Sequence, residues 1–141
     1  MRILLLALSA AILTLPAHAE SPAPEPARIE YPSVAAALEA LQARDGDGTI
    51  VTHSDGWTVV NEPLASAQWS FTPAGYYAYP AVVRRIIRRA PGGAVSVETT
   101  SLCEAPAPEC ARLLGEFAAM NERITQAVKA RGRQTAAPPP Q

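Results

Sequence analysis

Residues able to do chemistry are scarce in this chain of 141 amino acids. Beyond residue 19 there is a single histidine, His53, followed directly by Ser54 and Asp55 in THSDGW. A nucleophile, a base and an orienting acid must converge in space, whereas consecutive residues of an extended chain point to opposite sides. The triplet therefore reads as a turn carrying an incidental histidine, and no catalytic residue is assigned. Cys103 and Cys110 are the two cysteines. Without companion histidines they do not make a zinc site, and their spacing is wrong for a redox Cys-x-x-Cys pair. Asp45 and Asp47 open like a calcium loop, but its sixth position is Ile50 instead of glycine and its twelfth is Gly56 instead of glutamate. No spacing singles out two carboxylates as acid and base, and neither a Gly-rich phosphate loop nor a Gly-x-Ser-x-Gly elbow occurs. The expectation is no metal, no cofactor and no catalytic group.

Recognition chemistry is concentrated instead in QWSFTPAGYYAYPAVVRRIIRRAPGG, residues 68–93. This stretch holds five of the eight aromatic residues and four arginines, while every acid of the chain lies outside residues 63–97. Tyrosine and tryptophan offer large rigid contacts at low entropic cost, and arginine joins them at binding hot spots. The candidate binding surface is Trp69, Tyr76, Tyr77 and Tyr79 with Arg84, Arg85, Arg88 and Arg89. A plainer account is that Trp69 and Phe71 fill the core, the tyrosines pack over a sheet edge and the arginines guard that edge against aggregation.

The geometry of VVRRIIRR, residues 82–89, decides how concentrated the charge is. Its four-residue repeat on a helix gathers all four arginines on one face, whereas a strand puts two on each. Four β-branched residues, Pro80 before them and the PGG turn after them favour a strand. The returning AVSVETTSLC alternates cleanly and needs a partner, so a strand is expected.

The remaining elements follow from periodicity. A helix begins within 31–48 at the N-cap Ser33 and stops near Gly46. Residues 49–63 read as a hairpin turning at Asp55-Gly56 in type I′ geometry. Residues 67–73 form a third strand. A long helix spans 108–132, with an apolar stripe running from Cys110 through Leu113, Phe117, Met120 and Ile124 to Val128 and packing on the sheet. The fold class expected is α+β: an antiparallel meander sheet of four to five strands with an N-terminal and a long C-terminal helix packed on it, both on one face.

The first nineteen residues have the form of an export leader, with Arg2, an apolar run and the Ala17-His18-Ala19 cleavage motif. The apolar run is too short to span a membrane. The expected mature chain is periplasmic or secreted, begins at Glu20, and comprises a Pro-rich linker at 20–28, one domain at 29–131 and a disordered tail at 132–141. Loss of Arg2 leaves eleven basic residues against thirteen acids, which gives no reason to expect nucleic acid as a partner. An oxidising compartment favours a Cys103–Cys110 disulfide across the proline-stiffened EAPAPE corner.

WSFTPAGYYAYPAVVRR followed by SLCEAPAPEC resembles a group of small exported proteobacterial proteins of unknown function, over residues 31–130. Their shared pattern is WSFTP, then AYPAVV with a basic pair, then LCEA and a second cysteine. The resemblance implies one intact domain and a disulfide common to the group, and brings no established activity. Where that pattern has His-Pro, this chain has Tyr76-Tyr77, which removes any metal or acid–base role for that histidine. The reading is a non-enzymatic accessory or binding protein using residues 69–89. Its candidate partners are an envelope protein or an anionic envelope component. The alternatives are a small hydrolase-like enzyme and an inhibitor or shield of an envelope enzyme. A polar cleft containing His53 favours the enzyme.

Overall fold

The computed structural model describes residues 28–44 and 49–135. The expected leader, the linker up to residue 27 and the last six residues of the expected tail lie outside the described residues. Helix α1 spans Val34–Gln42, and Ser33 caps it by accepting the Ala36 amide on its Oγ at 3.0 Å. The Val34 amide, unsatisfied within the helix, donates to Glu104 Oε1 at 2.9 Å, so α1 is docked by an acid at its positive end.

Five strands follow: β1 Thr49–Thr52, β2 Thr58–Glu62, β3 Ala67–Phe71, β4 Ala81–Arg89 and β5 Val95–Cys103. They pair in chain order, all antiparallel, as the expected meander. The stretch 82–89 is strand, and its partner is β5. The β1–β2 connection differs from the type I′ expectation. His53 donates to the Trp57 carbonyl at 2.8 Å and Gly56 to that of His53 at 2.9 Å, which leaves a three-residue loop. Gly56 takes φ +86°, while Asp55 is not left-handed. This is the arrangement of a turn closed by a glycine bulge. A Cβ on Gly56 would stand 2.8 Å from the Cβ of Pro73, so both conformation and space require glycine.

Helix α2 spans Ala107–Thr135, running three residues past Gly132. Cys103 and Cys110 are bonded, with Cα atoms 5.9 Å apart, tying the end of β5 to the first turn of α2.

The helices lie on opposite faces of the sheet, not on one as expected. Val34, Ala37 and Leu41 of α1 pack with Val60, Trp69, Phe71 and Val82. Leu113 and Phe117 of α2 pack with Ala78, Ala81 and Val83. Val82 and Val83 are both fully buried and, as neighbours on one strand, must face opposite ways. An apolar residue at each of two consecutive positions is the mark of a strand covered on both sides.

The long stripe of α2 is used only in part. Leu113 and Phe117 are buried and Met120 half-buried, but Leu114 and Ile124 remain 38% exposed. Twenty-nine helical residues extend roughly 43 Å, whereas the nine-residue strands reach about 30 Å. The helix is too long for the sheet to cover.

Candidate functional site

The strand geometry of β4 divides the aromatic–arginine stretch between the two faces. Trp69 pairs with Arg84 and Gln68 with Arg85. Arg84 and Arg88 therefore share the α1 face, and Arg85 and Arg89 the α2 face.

On the α1 side the residues are committed to structure. Trp69 is 4% exposed, and its indole Nε1 donates to the buried carboxylate of Glu62, which Arg44 also binds. The Arg84 guanidinium lies 5.0 Å over the Trp69 ring. Arg88 pairs at the surface with Glu98, 3.1 Å away.

The tyrosines belong to the other side. Tyr76 and Tyr77 have ring centroids 4.5 Å apart, and Tyr76 meets Trp57 edge-on at 5.1 Å. Tyr76 donates to Glu116 at 3.1 Å, and Arg112 holds the same carboxylate at 3.2 Å while lying 4.1 Å over the Tyr77 ring. The Tyr77 hydroxyl is buried beside Glu116 without completing a hydrogen bond among the described residues. Burial pushes the Tyr77 phenol well above the ordinary tyrosine range. The Glu116 carboxyl is held below its ordinary range first by the nearby Tyr77 hydroxyl dipole, with desolvation opposing it and Tyr76 and Arg112 adding to it. Tyr79 is 51% exposed and stands apart from this cluster.

Arg85 is half-buried among neutral and aromatic side chains. It donates to Gln68 Oε1 and to Met120 Sδ, the latter at 3.1 Å, and lies 5.2 Å over the Phe117 ring. Among the described residues no carboxylate forms an ion pair with it. Desolvation lowers its pKa from the ordinary guanidinium value.

Around Arg85 the α2 face is open. The helix packs chiefly against β5 and leaves the β1–β3 side of that face uncovered. There the strands present Val59, Asn61, Gln68 and Ser70, which are too small or too polar to fill the space beneath a helix. The result is a groove of about 500 Å³ whose apolar wall includes Trp57, Tyr76, Phe117 and Met120. A second recess of about 510 Å³ continues from it between the sheet and the overhanging part of α2, where Ile87, Val97 and Ile124 line the wall with Arg89. The two share Asn61, Gln68 and Arg85.

His53 lines the groove, outside the expected surface, together with Ser70 and Glu116. No hydrogen bond among the described residues joins the three. No cluster of three or more His, Cys, Asp or Glu side chains placed to hold a metal occurs among the described residues, and no helix there is long and apolar enough to cross a membrane.

The expected surface thus contributes Tyr76, Arg85 and Arg89 to the groove, sets Tyr77 beneath its rim, and leaves Trp69, Arg84 and Arg88 on the far face. Sequence reasoning missed Asn61, Gln68, Phe117 and Met120. One signal was present: QWSF alternates polar or small Gln68 and Ser70 with bulky Trp69 and Phe71, which marks one sheet face as poorly filled. No family model matches this chain, and neither does a curated protein or a solved structure.

Proposed function

We propose that this chain is an exported, non-enzymatic binding protein of the cell envelope that holds its ligand in the groove on the α2 face. The observation that carries this reading is Arg85, a half-buried cation on an aromatic wall with only neutral partners among the described residues. Burying charge without an opposite charge is costly, and a bound anion would offset that cost. The groove's volume lies within the range of small-ligand sites, and its make-up is typical of them: apolar walls with a few convergent polar groups. Export is supported by the leader-like first nineteen residues and by the disulfide.

A small hydrolase is the second reading, favoured by one observation: His53, Ser70 and Glu116 line the same groove. A nucleophile and its base need to be within hydrogen-bond reach. Glu116 is instead engaged by Tyr76 and Arg112, so the binding reading is the stronger.

The test is crosslinking capture from intact envelope with three proteins of matched stability. These are wild type, a groove variant carrying Tyr76→Ser and Arg85→Gln, and an opposite-face variant carrying Arg84→Gln and Arg88→Gln. The expected result is a captured envelope component lost from the groove variant alone. Equal recovery from all three, or loss from the opposite-face variant, overturns the reading. Turnover of ester or amide substrates that depends on His53 would favour the hydrolase.

A further inference from the structure

The groove is divided by a polar row that crosses the sheet in register. Asn61 of β2 pairs with Gln68 of β3, Gln68 with Arg85 of β4, and Arg85 with Thr99 of β5. The side chains follow the register: Gln68 Nε2 donates to Asn61 Oδ1 at 2.9 Å, and Arg85 donates to Gln68 Oε1. Thr99 Oγ1 accepts from Asn121 of α2 at 2.8 Å. The row contains one cation, amides and a hydroxyl, and no acid.

The space on its two sides differs in chemistry. Toward Trp57 and Tyr76 the walls are aromatic and aliphatic, and the acid there, Glu116, is already engaged by Tyr76 and Arg112. Toward the overhang of α2 the walls carry Arg89 as well as Arg85, again with no acid, together with Ser66 and Asn121. Asn121 Nδ2 donates to Thr99, and its Oδ1, which can only accept, is buried with no partner among the described residues. One half suits an apolar body. The other offers two guanidiniums to a polar head.

Building on the binding reading above, we infer that the groove takes an amphiphile with a single apolar chain and an oxyanion head, the head lying between Arg85 and Arg89 and the chain lying against Trp57, Tyr76 and Phe117. Guanidinium groups bind carboxylate, sulfonate and phosphate oxygens through paired N–H donors, and do so more strongly where water is partly excluded. A peptide strand is a poorer occupant. The groove lies on the face of the sheet and offers side chains, while the unpaired backbone groups that would receive a strand are at the β1 and β5 edges.

Trp57 lines the groove and Trp69 is buried on the other face, so bound ligand perturbs one indole and leaves the other as an internal reference. The oxidised full chain is titrated below micelle formation with four probes of equal chain length: dodecanoate, dodecyl phosphate, dodecanol and dodecyltrimethylammonium. Calorimetry and Trp57 emission are read together. The anionic probes are expected to bind roughly 10- to 100-fold more tightly than dodecanol, the range of a charge-assisted hydrogen bond, and the cationic probe least. The ratio of dodecanoate to dodecyl phosphate distinguishes a carboxylate ligand from a phosphate one. Arg85→Gln is expected to erase the preference for anions, read as the ratio of anionic-probe to dodecanol affinity. Arg85→Lys restores it in part, and Arg84→Gln on the far face leaves it intact. Thermal melts confirm that each variant is folded.

Equal affinity for dodecanol and the anionic probes, or a preference that survives Arg85→Gln, overturns the assignment of the head while the groove reading stands. Failure of every probe to perturb Trp57, alongside groove-dependent capture of a protein from the envelope, overturns the amphiphile and leaves a binding protein for a macromolecule. Failure of both experiments removes the groove reading itself.

Discussion

The two faces of the sheet receive similar chemistry from the same strands and use it differently. On the α1 face, Arg84 lies over Trp69, whose indole is bound to Glu62, which also binds Arg44. Trp69 and Glu62 are hydrogen-bonded there, Arg84 Nε is buried with no hydrogen-bond partner among the described residues, and α1 packs on residues of β2, β3 and β4. On the α2 face, Arg85 has an aromatic neighbour but no acid, and the helix lies to one side. An arginine beside an aromatic ring thus lies on a helix-covered face in one case and beside an open groove in the other. What differs is the width of sheet that the helix covers. The comparison also explains why counting arginines in 82–89 overstates the surface. Two of the four are spent on the far side.

The sharpest way to break the comparison is to empty the sealed face. Trp69→Ala removes the residue that joins α1, Glu62 and Arg84, and is expected to cost about 3–5 kcal/mol, measured by urea denaturation. If the sealed face is purely structural, the folded fraction of this variant still binds at the groove with unchanged affinity. Next in size is the tether of the open face. Replacing both cysteines with serine is expected to cost about 2–3 kcal/mol, as a short ring should. Hydrogen exchange should then rise first in the early turns of α2, with α1 still protected.

Smaller is Tyr77→Phe. Its hydroxyl is buried and unpartnered among the described residues, so removing it should change stability at neutral pH by no more than about 1 kcal/mol, in either direction. The pH dependence is more telling. Folding favours the neutral phenol, so its contribution is full below the ordinary tyrosine range and is lost as pH rises through the elevated folded value. Alkaline thermal melts should therefore fall for wild type and fall less for Tyr77→Phe. Glu116 acts in the opposite sense. Its carboxyl is depressed, so its contribution is present above the ordinary carboxylate range and is lost as pH falls through the folded value. Glu116→Gln should flatten the acid side of the same profile. The smallest effect belongs to Arg88→Gln, which breaks an exposed pair with Glu98 and should shift stability by under about 0.5 kcal/mol. A larger loss would mean that the edge of the sealed face is more tightly bound than its exposure indicates.

Much of the fold is legible in the sequence. The cap at Ser33, the meander and the long final helix follow from local signals: a short polar side chain before an apolar run, alternation, and a stripe of helical period. The strand at 82–89 was legible from β-branching and from the need of β5 for a partner. The turn at Asp55-Gly56 was placed correctly, but its type was not, because the pairing of His53 with Trp57 leaves three residues in the loop instead of two. The opposite placement of the helices was also missed. Its signal lay in the VV and II pairs of β4, since consecutive apolar residues on a strand ask for cover on both sides.

The groove was legible least. Sequence alone determined which residues carry charge and rings, which of them alternate along a strand, and that Cys103 and Cys110 were the available pair. Tertiary structure alone decided that α2 lies to one side of its face and overruns the strands, and that Asn61, Gln68, Arg85 and Thr99 align in one row. It also decided that Arg84 lies over Trp69 on one face and Arg85 over Phe117 on the other. The physical reason is range. Propensity and periodicity act within a few residues and assign each side chain to a face, but the neighbours of a face come from strands and helices distant in sequence. Those neighbours determine whether a buried cation is already satisfied or still open to a ligand.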